Sequence, residues 1–247
     1  MTQGVDPRDR QAEEGITPQV FRSQPGKRYK LTGETRRALR GLTRRSARSG
    51  RLSPLEYNLT ISHGHRFIWF RVAKVATRTI LNHFATHDVG LDVDHAMRLR
   101  YPTALFDDYF KFAFVRHPLD RFISAWNDKV VDSNHFGFDR QTLARMQKVE
   151  EFARWTAQLD LSRLPETNHH LALQSRLVDL SQIDYLGRLE TFDQDFALVC
   201  SHVGLPAQRA VARNQSRPGA AGRETASDEL RSMVAEMYRR DYQVFGY

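Results

Sequence analysis

An apolar run, a basic turn and an amphipathic helix follow one another in residues 67–84, FIWFRVAKVATRTILNHF. Residues 67–72 are rich in aromatic and β-branched side chains, which predicts a buried strand. The turn holds Lys74, and Thr77 and Thr79 open the helix that follows. The free N–H groups of a first helical turn, with the positive end of the helix dipole, attract anions. The segment therefore predicts a phosphate site.

The same geometry occurs again in residues 110–130, FKFAFVRHPLDRFISAWNDKV. Residues 111–115 predict a strand that ends at Arg116, and Pro118 suits the first helical position because its missing N–H would be unpaired there anyway. The apolar positions of the helix are predicted to share one buried face: Leu119, Phe122, Ile123, Trp126 and Val130. Arg116 and Ser124 are then predicted to converge on one phosphate, through a guanidinium fork and a hydroxyl.

The two strand–turn–helix units predict an α/β fold, with a P-loop-like parallel sheet flanked by helices. Residues 140–159 and 228–241 show helical spacing of apolar side chains, and residues 183–189 predict a further strand. The chain of 247 residues is long enough for one sizeable domain, which we place at 54–247. Its single cysteine excludes an intrachain disulfide framework and offers no metal cluster, so no metal is predicted.

Positive charge is concentrated before that domain. Residues 27–51 carry ten Lys or Arg and one acid, while the whole chain has a formal net charge of +8. We interpret residues 1–53 as a flexible basic arm, because their apolar content is too low for a core. An alternative is that the arm contacts an anionic surface such as a membrane or an acidic polysaccharide. Nucleic-acid binding is not predicted, because the domain itself is near neutral.

The two segments resemble the nucleotide-binding motifs of sulfotransferases that use 3'-phosphoadenosine 5'-phosphosulfate (PAPS). They are most similar to those of Golgi-type carbohydrate sulfotransferases and their bacterial relatives. KVATRT, residues 74–79, resembles the loop for the 5'-phosphosulfate, and FVRHPLDRFISAWNDK, residues 114–129, resembles the 3'-phosphate motif. With further similarity at 185–196 and 238–247, the resemblance spans roughly residues 65–247. The family usually has proline before the loop lysine, where this chain has Ala73, which implies a less rigid loop.

This resemblance implies transfer of a sulfuryl group from PAPS to a hydroxyl of an acceptor, with a carbohydrate as the expected acceptor and no metal. Lys74 would supply the cation at the leaving oxygen. Arg116 and Ser124 would hold the 3'-phosphate, and Arg217 lies in RNQSRPG, which resembles a loop that closes over the nucleotide. The 5'-phosphosulfate would be held by the rest of the loop: Lys74, Val75, Ala76, Thr77, Arg78 and Thr79.

The general base in the family is a histidine or a glutamate, and the chain offers several histidines. We rank His95 first, because it lies between the two motifs, and His169 second, because ETNHHLALQ resembles a family segment near the acceptor that also includes Gln174. A histidine accepts a hydroxyl proton near neutral pH with little tuning. For each of them a surface or core position without a catalytic role stays open. Arg121 and Lys129 are interpreted as structural or surface residues.

Two other functions are weighed against this interpretation. A P-loop kinase would show GxxxxGK followed by Ser or Thr, but Val75 follows Lys74 and the loop has no glycine. A non-enzymatic protein that binds polyanions through the arm is the second alternative.

No run has the length of a membrane span, and the first thirty residues lack the apolar core of a secretory signal. Since eukaryotic members of the family are usually membrane-anchored, we expect a bacterial, cytoplasmic enzyme.

Overall fold

The computed structural model describes residues 28–29, 52–164, 167–207 and 225–247. Within these ranges, six strands form one mixed sheet in the order β1-β4-β2-β3-β5-β6. The strands are β1 (Arg28–Tyr29), β2 (Tyr57–Ser62), β3 (Phe67–Phe70), β4 (Val93–Leu99), β5 (Phe110–Val115) and β6 (Tyr185–Arg188). The helices are α1 (Thr77–Thr86), α2 (Pro118–Trp126), α3 (Arg140–Met146), α4 (Val149–Thr156), α5 (Gln174–Leu177), α6 (Phe192–His202), α7 (Asp228–Met237) and α8 (Arg239–Phe245).

The sheet has a parallel half and an antiparallel half. Strands β3, β5 and β6 pair in parallel, whereas β2 pairs antiparallel with β3 and with β4, and β1 pairs antiparallel with β4. The predicted α/β class with parallel strands and flanking helices is confirmed. Residues 93–99 were not predicted as a strand, and β2 and β4 extend the sheet beyond the parallel part.

The parallel half brings the two predicted phosphate turns together. Strand β3 is buried at all four positions, as expected for a strand covered on both faces. Phe70, its last residue, lies opposite Ala113 of β5. Because neighbouring parallel strands end at the same edge of a sheet, the turns that contain Lys74 and Arg116 lie side by side.

Local signals placed the helix starts correctly but missed several boundaries. Helix α1 begins at Thr77 and α2 begins at Pro118, as predicted. The helical stretch at 140–159 is two helices, since Lys148 adopts an extended conformation (ψ 122°) between them. In α2, Leu119 and Phe122 belong to a second core cluster with α4 and α7, while the predicted core residues Ile123 and Trp126 are half-buried.

Most of the predicted basic arm lies outside the described residues. Within it, Arg28–Tyr29 forms the edge strand β1. At its other end the Ser53 hydroxyl accepts a hydrogen bond from the Tyr101 N–H at 3.1 Å. The domain boundary at residue 54 stays a prediction. Among the described helices, none is both long and apolar enough to cross a membrane.

Candidate active site

The loop after β3 has an unusual backbone. Lys74 and Ala76 adopt left-handed conformations, with φ of 72° and 58°, on either side of Val75, whose side chain is fully buried. Such conformations cost about 1–3 kcal/mol in residues other than glycine and often mark functional sites. Turns of successive backbone N–H groups are a common way to build an anion-binding concavity. No side chain caps the start of α1, where Arg78 is exposed and Thr77 and Thr79 are half-buried.

A buried arginine holds this loop in place. Arg121 is 1% exposed, so it is a structural residue rather than a surface one. Its guanidinium donates hydrogen bonds to the carbonyl oxygens of Ala73 at 3.2 Å, Ala172 at 2.9 Å and His169 at 3.2 Å. It therefore ties the lysine loop to the turn at 167–172. One of the carbonyls fixed in this way belongs to Ala73, directly before Lys74.

The Arg116 turn is held by a different device. The side-chain oxygen of Gln174 accepts from the Arg116 N–H at 3.0 Å, and its amide donates to the Arg116 carbonyl at 2.8 Å. Gln174 is fully buried, and its own N–H donates to the buried Asp241 at 2.7 Å. The same carboxylate accepts from the N–H and the hydroxyl of Ser175. Gln174 thus supports the predicted donor side, although its sequence context suggested the acceptor.

Lys74 and Arg116 lie within electrostatic reach of each other. Burial lowers the pKa of Lys74, and the charges of Lys129 and Arg116 lower it further, while Asp128 opposes them. The two cations predicted to hold opposite ends of the donor are therefore near enough for their charges to interact. Ser124 is half-buried on α2, two turns along from the start of that helix.

Two lysines share one carboxylate at the end of α2. The Nζ atoms of Lys74 and Lys129 each lie 3.1 Å from Oδ2 of Asp128. Burial alone would raise the pKa of Asp128, but the hydrogen bonds and charges of the two lysines bring it below its ordinary value. Asp128 is therefore ionised at neutral pH. The motif at residues 114–129 includes Asp128 and Lys129. Its local pattern did not indicate that Asp128 pairs with two lysines.

The two predicted bases lie on different elements of the fold. His95 lies on β4 and His169 in the turn at 167–172, yet the charge of His95 contributes to the low pKa of His169, which burial brings to about 4. The rings of His169 and His170 are 4.1 Å apart, because this segment is a turn and not a regular strand or helix. His135 packs against His170, with ring centroids 5.4 Å apart. At neutral pH His169 is unprotonated and can accept a proton.

The remaining site predictions have different outcomes. Arg217 lies outside the described residues, so its contact with the nucleotide stays a prediction.

Three positioning residues were not recognised from the sequence: Arg121, Gln174 and Asp241. Their partners are 48 to 67 positions away, so no local pattern could have found them. Among the described residues, no group of three or more His, Cys, Asp or Glu side chains is arranged to hold a metal ion.

Comparison with known proteins identifies the family. The sulfotransferase family model matches residues 57–247, so this chain belongs to the sulfotransferase family. It is similar to carbohydrate sulfotransferase 14 of Danio rerio, with 24% identity over 240 residues that cover 79% of this chain and 65% of the relative. It is also similar to human carbohydrate sulfotransferase 8, with 27% identity over 168 residues that cover 56% of this chain and 39% of the relative.

These alignments include less than two thirds of either relative's length. No solved structure matches the chain significantly. The curated relatives are from a fish and a human, so the expected bacterial origin and cytoplasmic location stay predictions.

Proposed function

We propose that this protein transfers a sulfuryl group from PAPS to a hydroxyl of a carbohydrate. The observation that carries the proposal is the juxtaposition of the Lys74 loop and the Arg116 turn at the ends of the parallel strands β3 and β5. Ligands bind at the carboxyl ends of strands in open α/β sheets. Family membership supports sulfuryl transfer, and the names of both relatives support a carbohydrate acceptor.

The donor residues divide into two groups that suit the two ends of PAPS. The backbone N–H groups of residues 74–79 and the Lys74 ammonium would bind the 5'-phosphosulfate. Arg116, aided by Ser124, would bind the 3'-phosphate, because a guanidinium fork matches the oxygens of a phosphate. This second contact would distinguish PAPS from ordinary adenine nucleotides.

The chemistry follows from the same residues. PAPS supplies a sulfuryl group joined to the 5'-phosphate through a bridging oxygen. In a loose, in-line transfer, negative charge builds on that oxygen, as it does in phosphoryl transfer. Lys74 stabilises this charge. His95 or His169 accepts the proton of the attacking hydroxyl, and His169 is unprotonated before the reaction because its pKa is about 4.

The low pKa of His169 has a further consequence. Burial is its largest cause, and the neighbouring cations Arg121 and Lys129 add to it. Bound phosphate and sulfonate groups would offset the charges of those two cations. The pKa of His169 would then rise, and the histidine would become a stronger base once the donor is in place.

Nucleotide binding offers the most direct test. Thermal unfolding should show stabilisation by adenosine 3',5'-bisphosphate (PAP), and a much smaller shift with AMP or ATP at the same concentration. Arg116→Met should remove most of the preference for PAP, whereas Arg145→Met on the exposed surface of α3 should keep it. Equal shifts with all three nucleotides would remove the basis for PAPS as donor. A shift with ATP and Mg²⁺ alone would favour the kinase alternative.

A polyanion-binding protein that acts through the basic arm is the second alternative. It predicts binding of heparin that is lost when residues 1–51 are removed, and no preference for PAP over AMP. Contact of the arm with an anionic surface can also accompany an enzymatic function, so it is tested separately by sedimentation of the full chain with anionic vesicles.

A further inference from the structure

The chain leaves regular α-helical geometry directly after α2. Residues Asn127–Val131 form a π-helical turn, and the Asp132 N–H donates to the Asn127 carbonyl at 2.8 Å, five positions back. Such turns are rare and occur frequently at functional sites. The wider turn changes the directions of the side chains that follow α2. Val130 packs in the core, while Asp128 and Lys129 meet Lys74.

Lys74, Asp128 and Lys129 form one ion-paired cluster. One oxygen of Asp128 lies 3.1 Å from each of two ammonium nitrogens, an arrangement that a sulfonate or phosphate oxygen would also accept. The lysine side chains are 16% and 18% exposed, and that of Asp128 is 37% exposed. Two half-buried like charges repel each other and need an anion between them. Asp128 supplies that anion, and it is the group of the three with the best access to solvent.

Lys129 lies beside the donor loop, because its ammonium shares the Asp128 carboxylate with Lys74. Its charge contributes to the lowered pKa of Lys74 and to those of His135, His169 and His170. A cation that pairs with the same carboxylate as Lys74 can contact the sulfuryl group once the donor is bound. Lys129 is thus placed for the transferred group, whereas Lys74 belongs to the donor loop.

We propose that Lys129 is a second catalytic cation that binds the non-bridging oxygens of the sulfuryl group, and that Asp128 is its displaceable counter-ion. The proposal rests on the function proposed above. In the transfer, the bond between sulfur and the bridging oxygen breaks, and its electron pair stays on the phosphate of PAP. A new bond forms between sulfur and the acceptor oxygen, whose proton passes to a histidine. Lys129 takes no part in the proton transfer and stabilises the sulfonate oxygens.

The experiment compares binding of PAPS and PAP, which differ by the sulfuryl group. Isothermal titration is carried out on the wild-type chain, on Lys129→Met, and on Lys148→Met as a control at an exposed lysine. Lys129→Met should weaken PAPS binding roughly tenfold, because a hydrogen bond to a charged group is lost, and should change PAP binding less than about twofold. Lys129→Arg should restore PAPS affinity to within about threefold of wild type, which also shows that the site still forms.

Asp128→Asn tests the counter-ion and is nearly isosteric. It should tighten PAPS binding several-fold, because the carboxylate no longer competes with the sulfuryl group for the two lysines. Equal losses of PAPS and PAP affinity in Lys129→Met would overturn the proposal, as would unchanged PAPS affinity or weaker PAPS binding in Asp128→Asn. A wild-type chain that binds neither PAPS nor PAP more tightly than AMP would instead overturn the proposed function, and this inference with it.

Discussion

The turns that follow β3 and β5 both join a parallel strand to a helix. Different hydrogen bonds stabilise their backbones. In the first, Lys74 and Ala76 take left-handed conformations, and a guanidinium from α2 holds the backbone at Ala73. In the second, the backbone of Arg116 is paired at both its N–H and its carbonyl by Gln174. The first turn therefore has left-handed residues next to a carbonyl held by a side chain, whereas the second has both backbone polar groups of Arg116 paired.

This difference matches what each end of the proposed donor requires. Backbone N–H groups around a lysine suit a reacting group whose charge changes during transfer. A guanidinium on a rigid backbone suits a phosphate that is only recognised. Variants in the two turns should therefore have different kinetic consequences.

The largest expected effect is on turnover. Lys74→Met should lower kcat by about 10²–10³-fold, because it removes charge stabilisation in the transition state. Arg116→Met should raise the KM for PAPS about tenfold or more and change kcat only a few-fold. The measurement is steady-state release of PAP with an acceptor on which the wild type is active. If Arg116→Met lowered kcat and Lys74→Met raised KM alone, the two roles would be exchanged.

The next effect is on stability, through the arginine that supports the first turn. Arg121→Met keeps the length of the side chain but leaves three backbone carbonyls without their donor, so the free energy of unfolding should fall by about 3 kcal/mol or more. Urea unfolding followed by circular dichroism measures the loss. Arg145→Met on the exposed face of α3 should change stability by less than about 0.5 kcal/mol. Similar values for the two variants would show that the Arg121 hydrogen bonds contribute little.

A smaller effect is expected in the second turn. Gln174→Leu removes both hydrogen bonds to the Arg116 backbone and should cost about 2 kcal/mol of stability. Since the turn is then less well fixed, PAP should bind more weakly while kcat changes little. Unfolding and PAP titrations of this variant are compared with those of Gln158→Leu, at an exposed glutamine after α4. Loss of stability with unchanged PAP affinity would separate Gln174 from the donor site.

The smallest effect concerns pH. The pKa of His169 is about 4 in the folded state, below the ordinary 6.5, so the unfolded chain binds the proton more tightly. The stability that depends on neutral His169 is complete above about pH 6.5 and decreases as the pH falls toward 4. His169→Asn should reduce the difference in unfolding free energy between pH 7 and pH 5 by about 1 kcal/mol, after allowance for partial exposure.

The control for this measurement is His202→Asn, at an exposed histidine that ends α6. An equal reduction in the two variants would mean that the pH dependence does not come from His169. A steeper pH dependence in His169→Asn would mean that the sign is wrong.

The local structure of both turns could be predicted from their sequences. The starts of α1 at Thr77 and of α2 at Pro118 follow from hydroxyl and proline residues after apolar runs, and these signals act within a few residues. The break between α3 and α4 was missed because no glycine or proline marks it. The antiparallel strands were missed because pairing between β2 and β4 joins residues more than thirty positions apart.

By itself, the sequence determined the α/β class, the two basic turns and the residues that each turn presents, because hydrophobic periodicity and helix-start chemistry are local. Only the tertiary structure decided that Asp128 lies between two lysines and that Arg121 joins the lysine loop to the His169 turn. These contacts depend on how strands and helices pack across the sheet. That packing depends on the burial of the whole core. It cannot be predicted from any one short segment.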